Sequence, residues 1–453
     1  MSPTGSRRLW DKGEALNERV RRFTVGRDPE LDLRLVPFDA LGSAAHAVML
    51  MEIGILTSEE RDGLLRELAE IVRDARAGRF VVPPELEDGH TAIEARLTER
   101  LGDAGRKIHT GRSRNDQVIA AVRLFAREEL LTQGRLLLDT AELLLDLADR
   151  HREVAVPGYT HTRQGMTSTL GHLFHAHAEV LLDAVLWWRT AFAHADRSPL
   201  GSASGYGVAL PLDRRRVAEL LAFDELQRNT LAVQNDRGKT EWLVLGAVLG
   251  PVTDLGRLAA DLIWFSSEEL GFVRLSEEVT TGSSIMPQKR NPDVLELMRA
   301  GAARLRARHA EIAAVFGSLP SGYHRDLQAT KEPFLEGMVG ATDLLAVARP
   351  VLEGLQVDPE RCRAALQPAT AATDEVYRRV AAGTPFRTAY REVGEDPVGA
   401  VTVDPADAWR LRTHEGAPGA LDTAPERQRL VEARQALERR SERVTRVWEL
   451  LGG

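Results

Sequence analysis

Long stretches with apolar residues at helical spacing organise this chain. Residues 113–152 contain no proline and one glycine. Two adjacent series of leucines repeat there every seven residues, at Leu130, Leu137 and Leu144 and at Leu131, Leu138 and Leu145. The pattern predicts one long helix whose apolar surface is too wide for a single neighbour on one side to cover.

Three further stretches share the helical pattern, over 166–198, 237–270 and 293–317. We expect a kink in the second of them, at Gly250-Pro251, because proline interrupts helical hydrogen bonding. Four long helices with broad apolar faces predict an all-α bundle that subunit association extends.

The rest of the chain flanks this bundle. Ser58 opens a helical run within a proline-broken N-terminal part. After Cys362 the character changes: 396–424 is rich in Pro, Gly and Asp and predicts loops before a final helix near 426–450. The predicted domains are an N-terminal helical domain, a central helical bundle and a small C-terminal helical domain, over 1–109, 110–362 and 363–453.

The composition excludes several classes of protein. The 453 residues carry 59 basic and 67 acidic side chains, a net charge of −8, which disfavours nucleic acid and anionic membranes as partners. Cys362 is the single cysteine, so an intramolecular disulfide and a cysteine-based metal site are excluded. No signal-peptide core and no apolar run of membrane-spanning length is evident, so we expect a cytoplasmic protein.

The segment 282–292, GSSIMPQKRNP, has the strongest chemical character. Two hydroxyls precede two cations, and no acidic residue lies among them. Asn291 at the N-cap and Pro292 at the first helical position predict a helix start, whose positive end suits a carboxylate. Either proton abstraction beside a carboxylate or a plain surface turn fits this segment, and its residues alone do not separate the two.

Three other polar clusters have both a structural and a functional interpretation. In HTGRSRND (109–116), Ser113 and Asp116 form a capping-box pattern, but capping does not explain two arginines and an asparagine at one helix start. In PGYTH (157–161), a Pro-Gly turn predicts that Thr160 and His161 lie near the start of the next helix. In the third cluster, 323–331, helical spacing places Gln328 and Lys331 on one face, and a solvated helix start would explain them as well.

A metal site is disfavoured. Of His172, His175 and His177, only the first two share a helical face, and no acid or cysteine completes a ligand set.

Taken together, these segments resemble the argininosuccinate lyases of the aspartase/fumarase superfamily. Gln288 before Lys289 and the HTGRSRND segment point to this branch of the superfamily. The motifs that carry the resemblance are Asp39-x-x-Gly42-Ser43-x-x-His46, Asp88-x-His90-x-x-x-Glu94, HTGRSRND, PGYTH, PLGSASGYG (199–207), GSSIMPQKRNP, the 323–331 cluster and PFRTAYREVG (385–394).

The resemblance implies an all-helical, three-domain subunit and a homotetramer in which three subunits contribute to each active site. The implied reaction is the reversible elimination of fumarate from argininosuccinate to give arginine, without metal or organic cofactor. The implied catalytic residues are Ser283 as base, Lys289 to hold the substrate carboxylate, and His161 with Glu296 as a histidine–carboxylate pair. The implied substrate-binding residues are His90, Ser113, Arg114, Asn115, Thr160, Asn291, Tyr323, Gln328 and Lys331.

Some positions depart from the family pattern. The usual Trp-Gly-Gly-Arg-Phe appears only as Trp10-Asp11-Lys12-Gly13, and an expected substrate-contacting serine shortly before Asp32 is absent. The residues after His161 also differ. Two alternatives therefore stay open: a sister lyase that releases fumarate from another N-succinyl amine, and a non-catalytic structural role such as that of a lens crystallin.

Overall fold

The computed structural model describes residues 17–452, and it consists mainly of helices. The Trp10–Gly13 departure lies outside the described residues. The helices are α1 (Glu18–Val25), α2 (Asp28–Asp32), α3 (Val36–Glu52), α4 (Ser58–Arg76), α5 (Gly89–Leu101), α6 (Asp103–Lys107), α7 (Arg114–Arg150), α8 (Leu170–Ala195), α9 (Arg214–Leu220), α10 (Thr230–Asn235), α11 (Lys239–Phe265), α12 (Asp293–Phe316), α13 (Lys331–Glu353), α14 (Pro359–Ala364), α15 (Ala372–Ala381), α16 (Phe386–Glu395) and α17 (Ala424–Arg446).

Short strands join these helices in two-stranded sheets. The strands are β1 (Ala155–Thr160), β2 (Arg163–Thr169), β3 (Arg197–Ser198), β4 (Glu225–Leu226), β5 (Val273–Arg274), β6 (Thr281–Gly282), β7 (Arg290–Asn291) and β8 (Gln356–Val357). They pair as β1–β2, β5–β8 and β6–β7, all antiparallel, and as β3–β4, which is parallel. The all-α prediction is confirmed, because the described residues are mainly helical and their sheets have only two strands each.

Helix α7 is the centre of the bundle, and three long helices are aligned with it. Helix α8 runs back along it, since Gly171 lies against Ala148 and, further along α8, Trp188 donates to the Leu130 carbonyl at 2.6 Å. Helix α13 runs parallel to it, because Phe334 packs on Phe125 and, further along both helices, Gln133 Nε2 donates to the Met338 carbonyl at 2.9 Å. Helix α17 also packs on α7, where Leu437 is buried in the main core. The leucine series predicted this arrangement correctly: the six leucines of the two series are all buried in the core.

Helix α11 contradicts the prediction that no apolar run reaches membrane-spanning length. Its 27 residues are long and apolar enough to cross a membrane by length and composition alone, and half of the most apolar window is buried in the subunit. It packs between α8, α12 and α13. A core helix passes the same test, so its apolar character follows from contact with three neighbours. Pro251 lies inside this helix.

Two helix boundaries differ from those predicted. The stretch 166–198 is not helical from its beginning, because residues up to Thr169 pair with β1 and α8 begins at Leu170. In α12 the N-cap is Pro292 rather than Asn291, whose backbone belongs to β7. Cross-strand pairing of Asn291 with Thr281 fixes an extended backbone there and delays the helix by one residue.

Gly171, at the start of α8, lies in close contact with the backbone at the end of α7 and just beyond it. A Cβ atom there would lie 2.6 Å from the Ala148 carbonyl oxygen and 2.5 Å from the Arg152 Cα atom. Both contacts are with backbone atoms, so only a shift of the main chain could relieve the crowding.

We therefore expect Gly171→Ala to lower the free energy of unfolding by about 1–3 kcal/mol, as overpacking in a dense interior does. Gly394→Ala in α16 is the matched control, since its Cβ would meet nothing within 4 Å. Chemical denaturation of both variants measures the difference. Equal stability of the two would show that α7 and α8 can separate at little cost.

Candidate active site

The start of α7 is held by one buried carboxylate. Asp116 Oδ1 accepts the Ser113 N–H at 2.9 Å, and Ser113 Oγ accepts the Asn115 N–H at 3.2 Å, so the predicted capping box is confirmed. Asp116 Oδ2 accepts the backbone N–H groups of Gly201 at 3.0 Å and Ala203 at 2.8 Å. Burial raises the pKa of Asp116 to about 6, against the pull of these donors. This carboxylate fixes the 199–207 loop against the helix start.

Arg114 and His90 are each oriented by an acid. Arg114 donates to Asp88 at 3.0 Å, and His90 Nδ1 lies 2.6 Å from Asp39 Oδ2. Burial alone would lower the pKa of His90, but the charge of Asp39 and its hydrogen bond raise it. Burial likewise opposes the charge of Asp88, and the positive groups of His90 and Arg114 lower its pKa overall. Two of the predicted binding residues thus form a linked ionic group.

Lys331 is buried. The structural interpretation of the 323–331 cluster as a solvated helix start is therefore wrong for this residue. Its Nζ atom donates to Asp28 at 2.9 Å and Asp32 at 2.7 Å, and its side chain is 3% exposed. Asp32 also accepts the Gly89 N–H at 2.9 Å. Burial opposes the ammonium charge, but the two carboxylates raise the pKa of Lys331. Lys331 therefore joins α13 to α2 and to the start of α5, beside His90.

Gln328 and Tyr323 meet at an arginine that the sequence analysis missed. Arg237 donates to Gln328 Oε1 at 2.9 Å, and its guanidinium carbon lies 5.5 Å from the centroid of the Tyr323 ring. Arg237 itself is buried. The polar run 234–237 before Gly238 was the available signal, but nothing local linked it to residues about 90 positions later.

Seven predicted site residues are thus gathered at the end of the bundle where α7 and α11 begin. We call them the proximal cluster: His90, Ser113, Arg114, Asn115, Tyr323, Gln328 and Lys331.

Thr160 and His161 lie on a β-hairpin and not at a helix start, which corrects the prediction. His161 and Thr162 form its two-residue turn with φ of 53° and 58°. Left-handed residues at both positions match the twist of the flanking strands. Gly158, expected in the turn, lies in β1, where a Cβ atom would be 2.8 Å from the Met166 carbonyl oxygen. The glycine thus serves close strand approach, and the turn falls three residues later.

The 282–292 segment is an exposed loop closed at its base by β6 and β7. Ser283 Oγ accepts the backbone N–H groups of Ile285 at 3.3 Å and Met286 at 3.1 Å. Lys289 is exposed, and Ile285 is 85% exposed. Glu296 lies in the first turn of α12 and is exposed. Among residues 17–452, no hydrogen bond or ion pair joins it to His161, so one subunit does not form the predicted pair.

The remaining six predicted site residues therefore lie at the opposite end of the bundle. We call them the distal cluster: Thr160, His161, Ser283, Lys289, Asn291 and Glu296.

The long helices keep the two clusters apart. Arg237 contacts Gln328 just before α11 begins, and Trp264 at its other end lies 4.5 Å, centroid to centroid, from Tyr159 of the hairpin. A helix of 27 residues, as α11 is, spans about 40 Å. The α12 helix, with 24 residues, places about 36 Å between the 282–292 loop and Phe316, which packs on Gly238. A single subunit cannot bring both clusters to one small molecule.

The three histidines of α8 bond to three different partners. His172 Nε2 lies 3.1 Å from the Gly416 carbonyl oxygen, His175 lies 3.0 Å from Glu426, and His177 lies 3.1 Å from Asp261. Within the described part of the chain, no group of three or more His, Cys, Asp or Glu side chains is arranged to hold a metal ion.

Comparison with known proteins defines the class first. A family model described as "Lyase" matches residues 17–306. The crystal structure of EDDS lyase in complex with formate superposes with a TM-score of 0.80 at 25% identity, over 97% of this chain and 95% of that one. A fumarate lyase:delta crystallin from Brucella melitensis has a TM-score of 0.70 at 18% identity, over 91% of this chain and 95% of that one. The fold and the matched family are those of a helical lyase.

The sequence relatives narrow this class. The argininosuccinate lyase of Stenotrophomonas maltophilia (strain K279a) is 45% identical over 90% of this chain and 97% of its own length. That of Sorangium cellulosum (strain So ce56) is 45% identical over 91% of this chain and 96% of its own. The chain belongs to the argininosuccinate lyase family.

His109, in the HTGRSRND segment, makes the stability of the folded protein depend on pH. Burial, with Arg112 and Arg114 nearby, lowers the pKa of His109 from 6.5 to about 4. Between pH 6.5 and 4, His109 therefore binds a proton in the unfolded chain but not in the folded protein. The free energy of unfolding thus falls as the pH falls through this range. The pKa shift of His109 corresponds to a contribution of about 3 kcal/mol to the free energy of unfolding. We expect about half of this contribution, because the side chain is 28% exposed and solvent screens it.

We expect His109→Gln to flatten the stability profile between pH 7 and 4.5 by this amount. Urea denaturation at a series of pH values measures it for both proteins. A wild-type profile that matches the variant's would assign the titration to other groups.

Proposed function

We propose that this protein catalyses the reversible elimination of fumarate from argininosuccinate, releasing arginine. The observation that carries this proposal is the 45% identity to curated argininosuccinate lyases over nearly the full length of both chains. Both clusters also contain the residue types that this reaction needs. We propose that the protein acts in the cytoplasm, in arginine biosynthesis, without a metal or organic cofactor.

In this proposal the distal cluster performs the proton transfer. Ser283 removes the proton on the carbon beside a substrate carboxylate, and the electron pair moves into that carboxylate. Lys289 and Asn291 stabilise the charge that develops there, which is the larger part of catalysis in such a step. The bond from carbon to the leaving nitrogen then breaks, fumarate forms, and the nitrogen takes a proton. His161 with Glu296 acts in proton transfer or orientation.

The proximal cluster binds and orients the substrate in this proposal. Ser113, Arg114 and Asn115, with Thr160 of the distal cluster, bind carboxylates through hydroxyl, guanidinium and amide donors. Tyr323, Gln328 and Lys331 position the arginine-derived portion, and His90 also binds the substrate. Since two carboxylates already hold the ammonium of Lys331 at 2.9 and 2.7 Å, its contribution is to the shape and charge of the pocket wall.

The separation of the clusters supports a homotetramer with shared active sites. Three subunits would contribute to each site, and opposite helix ends of neighbouring subunits would bring the proximal and distal clusters together. Exposed apolar side chains on the long helices supply surface for such packing: Leu186 is 63% exposed, Trp187 61% and Leu297 70%.

A second candidate is a lyase that releases fumarate from a different N-succinyl amine. The similarity to EDDS lyase at a TM-score of 0.80 favours it, as does Asp28, an acid at the start of α2 in the region where the family pattern expects a serine. Incubating the purified protein with argininosuccinate and following fumarate and arginine decides between them. Absence of both products, with turnover of another N-substituted aspartate, would favour the second candidate.

Ser283→Ala tests the proposed base. We expect a folded assembly with kcat lower by several orders of magnitude, because the group that accepts the proton is gone. Ser284→Ala is the matched control in the same exposed loop and should keep most activity. Fumarate absorbance measures both rates, and near-normal turnover by Ser283→Ala would remove it from this role.

Subunit mixing tests the shared site. Asn115→Ala and Ser283→Ala subunits, denatured and refolded together, should recover part of the activity, because some sites in a mixed tetramer combine an intact proximal cluster with an intact distal one. Mixing Ser283→Ala with Lys289→Ala should recover nothing, since both changes fall in one loop. Equal behaviour of the two mixtures would argue against sites built between subunits.

A further inference from the structure

Arg237 lies between two residues of the proximal cluster. Its guanidinium donates to Gln328 Oε1 at 2.9 Å and lies over the Tyr323 ring, 5.5 Å from the centroid. Its exposed fraction is 4%. A buried guanidinium that contacts an amide oxygen and an aromatic face constrains both groups.

The backbone that carries Arg237 is rigid. Gly238 has φ of 81°, a left-handed conformation, and its N–H donates to Glu241 Oε2 at 2.8 Å, closing the start of α11. A Cβ atom on Gly238 would lie 2.8 Å from Phe316 Cβ, so α12 packs directly on this turn. The guanidinium is thus held at a fixed junction of two long helices.

The contact also determines which way the Gln328 amide faces. Arginine has only donors, so the group that it meets must be the amide oxygen. The Gln328 Nε2 atom then points away from Arg237, and within residues 17–452 it has no hydrogen-bond partner. Gln328 is half-buried, so its two N–H donors remain available at the surface of the cluster.

We infer that Arg237 is a positioning residue that holds the Gln328 amide with its N–H donors toward the substrate and fixes the Tyr323 ring beside it. This inference rests on the proposed function, because it assigns substrate contact to the proximal cluster. It adds that the substrate group facing Gln328 is an oxygen that accepts hydrogen bonds. The guanidinium of the substrate cannot be that group, because it offers only donors and Gln328 presents its own N–H donors there.

A double-mutant cycle with Arg237→Met and Gln328→Ala tests this inference. Arg237→Met should raise the KM for argininosuccinate at least tenfold, with kcat changed less than threefold, because the distal chemistry is untouched. In the Gln328→Ala background the same change should add less than threefold. Arg237→Lys, which keeps a cation but not the planar fork, should fall between Arg237→Met and the wild type.

Arg228→Gln is the control, since Arg228 is an exposed arginine nearby and its loss should alter neither constant. Additive effects of Arg237→Met and Gln328→Ala, or a fall in kcat at constant KM, would overturn the inference. If the wild type proves to act on another N-succinyl amine, the cycle is run with that substrate, and only the proposed function fails.

A crystal structure of Arg237→Met gives a readout independent of turnover. The Gln328 side chain should be reoriented or present in more than one conformer while α11 and α12 keep their packing. An unchanged Gln328 would overturn the positioning role, whatever the substrate.

Discussion

The length of the central helices is the constraint on which the function of this protein depends. Helix α7 has 37 residues and is about 55 Å long, and α11 and α12 join the same bundle by packing on α8 and α13. Residues at one end of such a bundle cannot reach residues at the other without breaking several helical turns and their packing. Any chemistry that needs both clusters must take place between subunits. In the proposed tetramer, the apolar surface that the helices leave exposed would serve catalysis as well as assembly.

Two buried carboxylates do most to hold the proximal cluster together. Asp116 accepts N–H groups from the α7 start and from the 199–207 loop, and Asp32 accepts from Gly89 and Lys331. Each joins segments far apart in sequence through oxygens that are almost entirely withdrawn from water. Since an unpaired buried charge is strongly destabilising, these acids specify one arrangement of the segments around them. The site geometry is therefore set by groups that need not touch substrate.

Local features were predictable from the sequence, and contacts between distant segments were not. The capping box at Ser113 and the core leucines of α7 follow from spacing within a few turns. The hairpin carrying His161 was missed because Pro157-Gly158 has the appearance of a turn, while the actual turn uses two residues that rarely adopt positive φ. Burial of Lys331 depends on acids about 300 positions away, which no local pattern reveals. Family resemblance supplied the site residues and implied that several subunits share each site, but it did not indicate which residues lie at which end of the bundle.

If Ser283 is the base, as we propose, its position explains why the distal cluster would need a partner subunit. Its hydroxyl oxygen already accepts two backbone N–H groups, at 3.3 and 3.1 Å, and such donors favour the deprotonated oxygen that a base requires. In the exposed loop, water and salt weaken this stabilisation and that from Lys289. Covering the loop with a neighbouring subunit and substrate would remove that screening without moving the donors. Ser283 would then be able to act as a base. Assembly and substrate binding would together control when it becomes one.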